Sequence, residues 1–198
     1  HLRNAFVRFS KNGDLVPELG GPQLQDKAIS GAVPEQLPLG VETSVRLPPP
    51  VFGVGLIEAI PVATIVALAD PNDANGDDIS GRPNFVVPED FVPVDEVGGF
   101  VTTDSTGGVP QLGRFGRKAA VSSLLLQVAK AYHEDVGITN DFLVVENKNP
   151  LASRATEAAD RVPDPELSAD ELRAVLAYLR GLAAPAPGAM TEQRAEGE

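Results

Sequence analysis

The stretch Val51–Asn84, VFGVGLIEAIPVATIVALADPNDANGDDISGRPN, is the least interrupted apolar segment of the chain and runs straight into a cluster of carboxylates and amides. Ile57, Ile60, Ile65, Leu68 and Ala69 fall at roughly helical spacing, broken by Pro61. This predicts a short helical turn before the proline and a second helix starting at it, because proline suits the first helical turn. Asp70, Asn72, Asp73, Asn75, Asp77 and Asp78 then crowd one loop that also carries Gly76 and Gly81. Such a density of hard oxygen donors on a glycine-bearing turn is what a Ca²⁺ loop requires. Counted from Asp73, the side chains of Asp73, Asn75 and Asp77 take the first, third and fifth places of an EF-hand-type loop, and Ile79 offers its carbonyl from the seventh. Asp78 replaces the usual glycine, though Asp tolerates positive φ better than most residues, and Asn84 replaces the bidentate glutamate. The competing reading is a solvated Asx turn.

Outward from this stretch, the composition is that of one loop-rich domain. The chain has 198 residues, 42% of them hydrophobic, with 19 Gly and 18 Pro, more than average usage of these two residues. Eight Phe, two Tyr and no Trp leave the core mainly aliphatic. A net charge of -12 repels phosphate, so nucleic acid and anionic membranes are poor partners. No apolar run is long enough to cross a bilayer. The absence of cysteine removes disulfides, thiolate metal sites and a cysteine nucleophile from these residues. Neither G-x-S-x-G nor a zinc motif is present, so a hydrolase finds no support. The start at His1, without Met or a signal-like leader, suggests a processed chain or a fragment.

Residues 1–20 carry a turn at Lys11–Asp14, and Gly20–Pro22 leads into a short mixed segment. Pro48–Pro50 predicts extended polyproline lead-in. Residues 85–113 alternate Val and Phe with Pro and Gly, favouring one or two short strands or an irregular loop. From Lys118, the spacing of Val121, Leu124, Leu125, Val128 and Tyr132 predicts an amphipathic helix of four to five turns that stops at Gly137. Residues 138–166 return to loop. Ser168 and Glu171 then form a capping box ahead of the stripe Leu172, Val175, Leu176, Leu179 and Leu182, which Pro185 and Pro187 end. The fold expected is mainly α, with little strand.

GPQLQDKAI (21–29), PPPVFGVGLIEAIP (48–61), LADPNDANGDDISGRPN (68–84), LGRFGRKA (112–119), AYHEDVGITN (131–140) and LSADELRAVLAYLRGLAAP (167–185) follow one another in an order that resembles the di-haem oxidoreductase family, related to di-haem cytochrome c peroxidases. The resemblance implies a cytochrome c-like helical domain over residues 1–184 and a linker over 185–198 towards a second domain. It also implies c-type haem attached outside these residues through C-x-x-C-H motifs, electron transfer with possible peroxide reduction, a redox partner protein or small redox substrate, and a periplasmic or cell-envelope location. His1 would then close the first such motif and ligate iron, or it is an arbitrary terminal residue.

His133 is either a second axial ligand or a helix-terminal cap or surface residue favoured by the helix dipole. Met190 is either an axial ligand or a linker residue. Arg82, Arg114 and Arg117 are candidate partners for haem propionates, since guanidinium grips carboxylate in a fork. A salt bridge from Arg82 to Asp77 or Asp78 competes. Glu58, set among apolar residues, is a candidate proton donor or acceptor if buried; otherwise it is a charge on the exposed side of a short helix, or it anchors a neighbouring backbone amide. A haem-free, calcium-stabilised binding or scaffold module is the alternative function.

Overall fold

The computed structural model describes residues 5–9, 30, 42–92, 110–146 and 162–188. The expected turns at Lys11–Asp14 and Gly20–Pro22, His1 and Met190 lie outside the described residues. In chain order the elements are β1 (Ala5–Phe9), β2 (Glu42–Arg46), α1 (Val54–Ala59), α2 (Val62–Ala67), β3 (Phe85–Val86), β4 (Gln111–Leu112), α3 (Leu124–Lys130), a π-helical segment (Ala131–Val136) and α4 (Ala169–Gly181). β1 pairs antiparallel with β2, Val7 opposite Ser44, and β3 pairs antiparallel with β4, Phe85 opposite Leu112. Among the described residues the fold is mainly helical with little strand, as the sequence predicts.

The split at Pro61 is where the sequence puts it. Gly53, at φ 75°, starts α1, and Pro61 immediately precedes α2. α1 docks on α4 through Gly55, where an added Cβ would lie 2.5 Å from the Arg180 carbonyl oxygen. The backbones touch there because glycine has no side chain to hold them apart. The Gly53 N–H donates to the Leu182 carbonyl at 3.1 Å, fixing the start of α1 against the end of α4.

α3 begins later than the spacing suggests. Val121 does not enter the helix; it forms a β-bridge with Phe115, and the Arg114 and Phe115 amides both donate to the Val121 carbonyl. Ser123 caps the helix instead, its Oγ accepting from the Leu126 N–H at 3.1 Å. The far end is Gly137, in the left-handed region at φ 76°. The last turns are π rather than α. α4 carries the full capping box, with the Ser168 side chain accepting from the Glu171 N–H and the Glu171 carboxylate accepting from the Ser168 N–H. These bonds hold the Glu171 carboxyl below its ordinary pKa.

Among the described residues, two apolar clusters form the core. Val54, Phe115, Leu124 and Leu176 make the first, joining α1, the β4–α3 connection, α3 and α4. Val128, Ala129 and Leu172 make the second, flanked by Phe91, Tyr132, Phe142 and Leu167. Asn140, fully buried, ties this end together: its Nδ2 donates to the Ala129 carbonyl and its Oδ1 accepts from the Phe142 and Leu143 amides.

Candidate functional site

Glu58 is the buried charge around which the helices meet, only 1% exposed. One carboxylate oxygen accepts from the Leu124 N–H at 3.2 Å, at the first turn of α3. The other accepts from Arg180 Nε at 2.6 Å, in the last turn of α4. Negative charge at a helix N-terminus and positive charge at a helix C-terminus are each the sign that the helix dipole favours. Burial rules out Glu58 as a charge on the exposed side of α1, and the geometry gives it a backbone amide and an ion-pair partner.

Arg114 stands on the turn after β4, and its Nη1 donates to the Ile57, Glu58 and Ile60 carbonyls. The last carbonyls of a helix have no partner within it, and here a guanidinium serves as their cap. The turn is tight. A Cβ on Gly113 would lie 1.7 Å from the Ala119 carbonyl oxygen, and Asn84 Nδ2 donates to the Lys118 and Ala119 carbonyls. Arg117 donates to the Leu47 and Pro48 carbonyls, and Arg82 donates to the Pro71 carbonyl at 2.7 Å rather than to Asp77 or Asp78. All three arginines expected to bind carboxylate clamp backbone carbonyls here.

The Asx-rich loop is closed at its base by paired hydrogen bonds between Asp70 and Gly81. Asp73 and Asn75 both accept from the Asp77 N–H, Asp73 also accepts from the Asp78 N–H, and Asp77 accepts from the Ile79 N–H. Asp73 and Asp78 are in the left-handed region, at φ 51° and 64°, so Asp78 does adopt the turn that glycine would usually make. Asp70 accepts from the Ala74 N–H, which holds its pKa below the ordinary carboxylate value. The carboxylates of Asp70, Asp73, Asp77 and Asp78 do not gather in threes. Among the described residues, only Glu146, Asp164 and Glu166 bring three carboxylate oxygens within 4.8 Å of one another. Sequence reading missed that group because Glu146 lies on a different segment from Asp164 and Glu166.

His133 belongs to the π-helical segment, and its Nε2 sits 2.7 Å from the Val145 carbonyl. A carbonyl only accepts, so Nε2 is the donor in this contact. Next to it, burial pushes the Glu134 pKa up from 4.5 to about 7, against the opposing pull of Lys130. Lys130 itself pairs with Glu89 at 2.6 Å.

The surface around α1 and α2 is apolar. α2, of sequence VATIVA, buries none of its residues. Leu56 is 64% exposed and Leu68 79%, with Ile57, Ile60 and Val66 exposed between them. Beside α2 lies a cavity of about 100 Å³ lined by Val62, Phe85, Pro110, Gln111, Leu112, Arg114 and Ser122. Ser122, which sequence reading did not single out, is buried, and its Oγ has no hydrogen-bond partner among the described residues.

Residues 28–192 match the family model described as "Di-haem oxidoreductase, putative peroxidase". The chain belongs to this family. No curated protein and no solved structure matches it. Membership of the di-haem oxidoreductases gives the arginines, His133 and the α1–α2 surface a cofactor against which to be tested. These residues fit a haem in part. An exposed apolar segment suits a macrocycle, guanidinium suits propionates, and a histidine whose one ring N–H is held by a carbonyl is oriented as metal-bound histidines are. Covalent attachment needs cysteine, of which these residues have none.

Proposed function

We propose that this chain is the haem-facing part of a di-haem c-type oxidoreductase that transfers electrons and reduces peroxide, with the haem attached outside these residues. The family match carries the reading, and the uncovered α1–α2 surface supports it. Bound haem supplies one-electron chemistry that no side chain here provides.

The chain's own residues would hold and insulate it. Leu56, Ile57, Ile60, Val66 and Leu68 exclude water from one side of the macrocycle, lowering the local dielectric and so tuning the potential. Arg114, together with Arg82 and Arg117, offers positive charge to propionates. His133 offers Nδ1 to iron while Val145 holds the opposite nitrogen, and His1 is the second candidate iron ligand. Glu58, held by Arg180 and the Leu124 amide, acts as a fixed buried charge that sets the α1 position. On this reading residues 1–184 form one haem domain, residues 185–198 lead onward, and the protein works in the periplasm or cell envelope with an electron-donor protein or small redox substrate.

The test is a reduced-minus-oxidised visible spectrum of the natural full-length protein. Sharp c-type bands are expected, with loss of peroxide in the presence of an electron donor. A featureless spectrum rejects the reading and leaves the haem-free scaffold. A calcium-stabilised loop remains compatible with either outcome. The Asp73, Asn75, Asp77 and Ile79 spacing favours it, whereas the backbone amides already bound by those side chains make the loop self-supporting.

A further inference from the structure

The cavity beside α2 has a chemistry of its own. Its wall contains three polar side chains, Arg114, Gln111 and Ser122, and four apolar ones, Val62, Phe85, Pro110 and Leu112, and none of the seven is acidic. Ser122 is 6% exposed, and its Oγ finds no hydrogen-bond partner among the described residues. Leaving a buried hydroxyl unpaired is costly, so a native protein normally provides such a group with a ligand or a water. At about 30 Å³ per water, the volume would take roughly three waters, or one carboxylate with a short alkyl stem.

The lining distinguishes between these. A guanidinium and a hydroxyl can both donate to a carboxylate, and charge-assisted bonds of this kind are roughly twice as strong as neutral ones. The apolar walls have nothing to offer water but suit methylene groups. We propose that this cavity is a carboxylate subsite, taking an acid on a short apolar stem, with Ser122 and Arg114 as its binding residues. The acid is either a propionate of a porphyrin or a free short-chain carboxylate. The subsite does not depend on the chain carrying haem, because a free acid would satisfy the same groups.

The experiment titrates the full chain with sodium butyrate and follows binding by calorimetry and by amide chemical shifts. Saturable binding that shifts Ser122, Arg114 and Gln111 is expected, with butyramide at least tenfold weaker because it lacks the charge. Ser122→Ala should weaken butyrate about tenfold without lowering the melting temperature of the free protein, since it removes an unpaired buried hydroxyl. Val62→Phe should abolish binding by filling the cavity while leaving Ser122 intact. Haemin and its dimethyl ester identify the source. Competition by haemin alone assigns the site to a porphyrin propionate, and failure of both to compete assigns it to a free acid. Absence of saturable butyrate binding, equal binding of butyramide, or full affinity in Ser122→Ala overturns the proposal. None of these results depends on the visible spectrum that tests the electron-transfer reading.

Discussion

Glu58 Oε2 and Arg180 Nε lie 2.6 Å apart although 122 positions separate them in the chain. The pair fastens the first helix of the described core to the last, with the Leu124 amide as a third member. Removing one partner from a buried pair leaves an uncompensated charge, at a typical cost of about 3–5 kcal/mol. Arg180 is partly exposed, so the lower end applies here. Arg180→Ala should therefore destabilise by about 3 kcal/mol and Glu58→Gln by less, since the amide oxygen still accepts from Leu124. Urea unfolding of the two variants and of the double variant measures the coupling. A double variant whose loss equals the sum of the single losses rejects the pair as a stabilising unit.

Gly55 and Gly113 are placed where a methyl group has no room. Gly55→Ala should cost about 1–3 kcal/mol by pushing α1 off the α4 backbone. Gly113→Ala should cost more, because its Cβ would overlap the Ala119 carbonyl and open the turn that presents Arg114. Thermal melting ranks the two. The reverse order would mean that the α1–α4 approach, not the Arg114 turn, is the less yielding contact.

Glu134 predicts a pH dependence of known sign. Its folded pKa of about 7 lies above the ordinary 4.5, so between these values the folded state holds more protons than the unfolded one. Its contribution therefore favours folding as pH falls from about 7 towards 4.5 and opposes folding above pH 7. Glu134→Gln should remove that slope and raise stability at pH 8. Chemical denaturation at pH 5 and pH 8 checks it, and an unchanged difference between the two pH values would count against a raised Glu134 pKa.

For the Asx loop, Ca²⁺ should raise the melting temperature if Asp73, Asn75 and Asp77 hold the ion, and Asp73→Ala should abolish that rise. A melting temperature indifferent to excess chelator leaves the Asx turns alone as the stabilising feature. In that case Asp73→Ala should still lower it, because the Asp77 and Asp78 amides each lose an acceptor.

Legibility followed the range of the interactions. The capping box at Ser168, the stop at Gly137 and the break at Pro61 were readable because each is decided within four residues. The start of α3 was not, since Val121 has apolar helical spacing but is drawn into a bridge with Phe115 by backbone bonds that periodicity does not register. The importance of Glu58 was visible from its apolar neighbours. Its partner was not, because nothing local marks Arg180. The arginines were read as candidate propionate partners, and their backbone roles were not legible, since the carbonyls that Arg114 caps lie 54 to 57 positions away. Ser122 gave no signal, as a serine before a helix cap is unremarkable until its surroundings are known.

The end of α4 grips α1 at three points: Gly53 on the Leu182 carbonyl, Gly55 against the Arg180 backbone, and Glu58 on the Arg180 side chain. Together they form a rigid coupling rather than a hinge. A pull or twist applied to the chain just beyond Leu182 reaches α1 without slack, and with it the apolar side chains that α1 presents. Whatever follows α4 therefore has mechanical leverage over that surface.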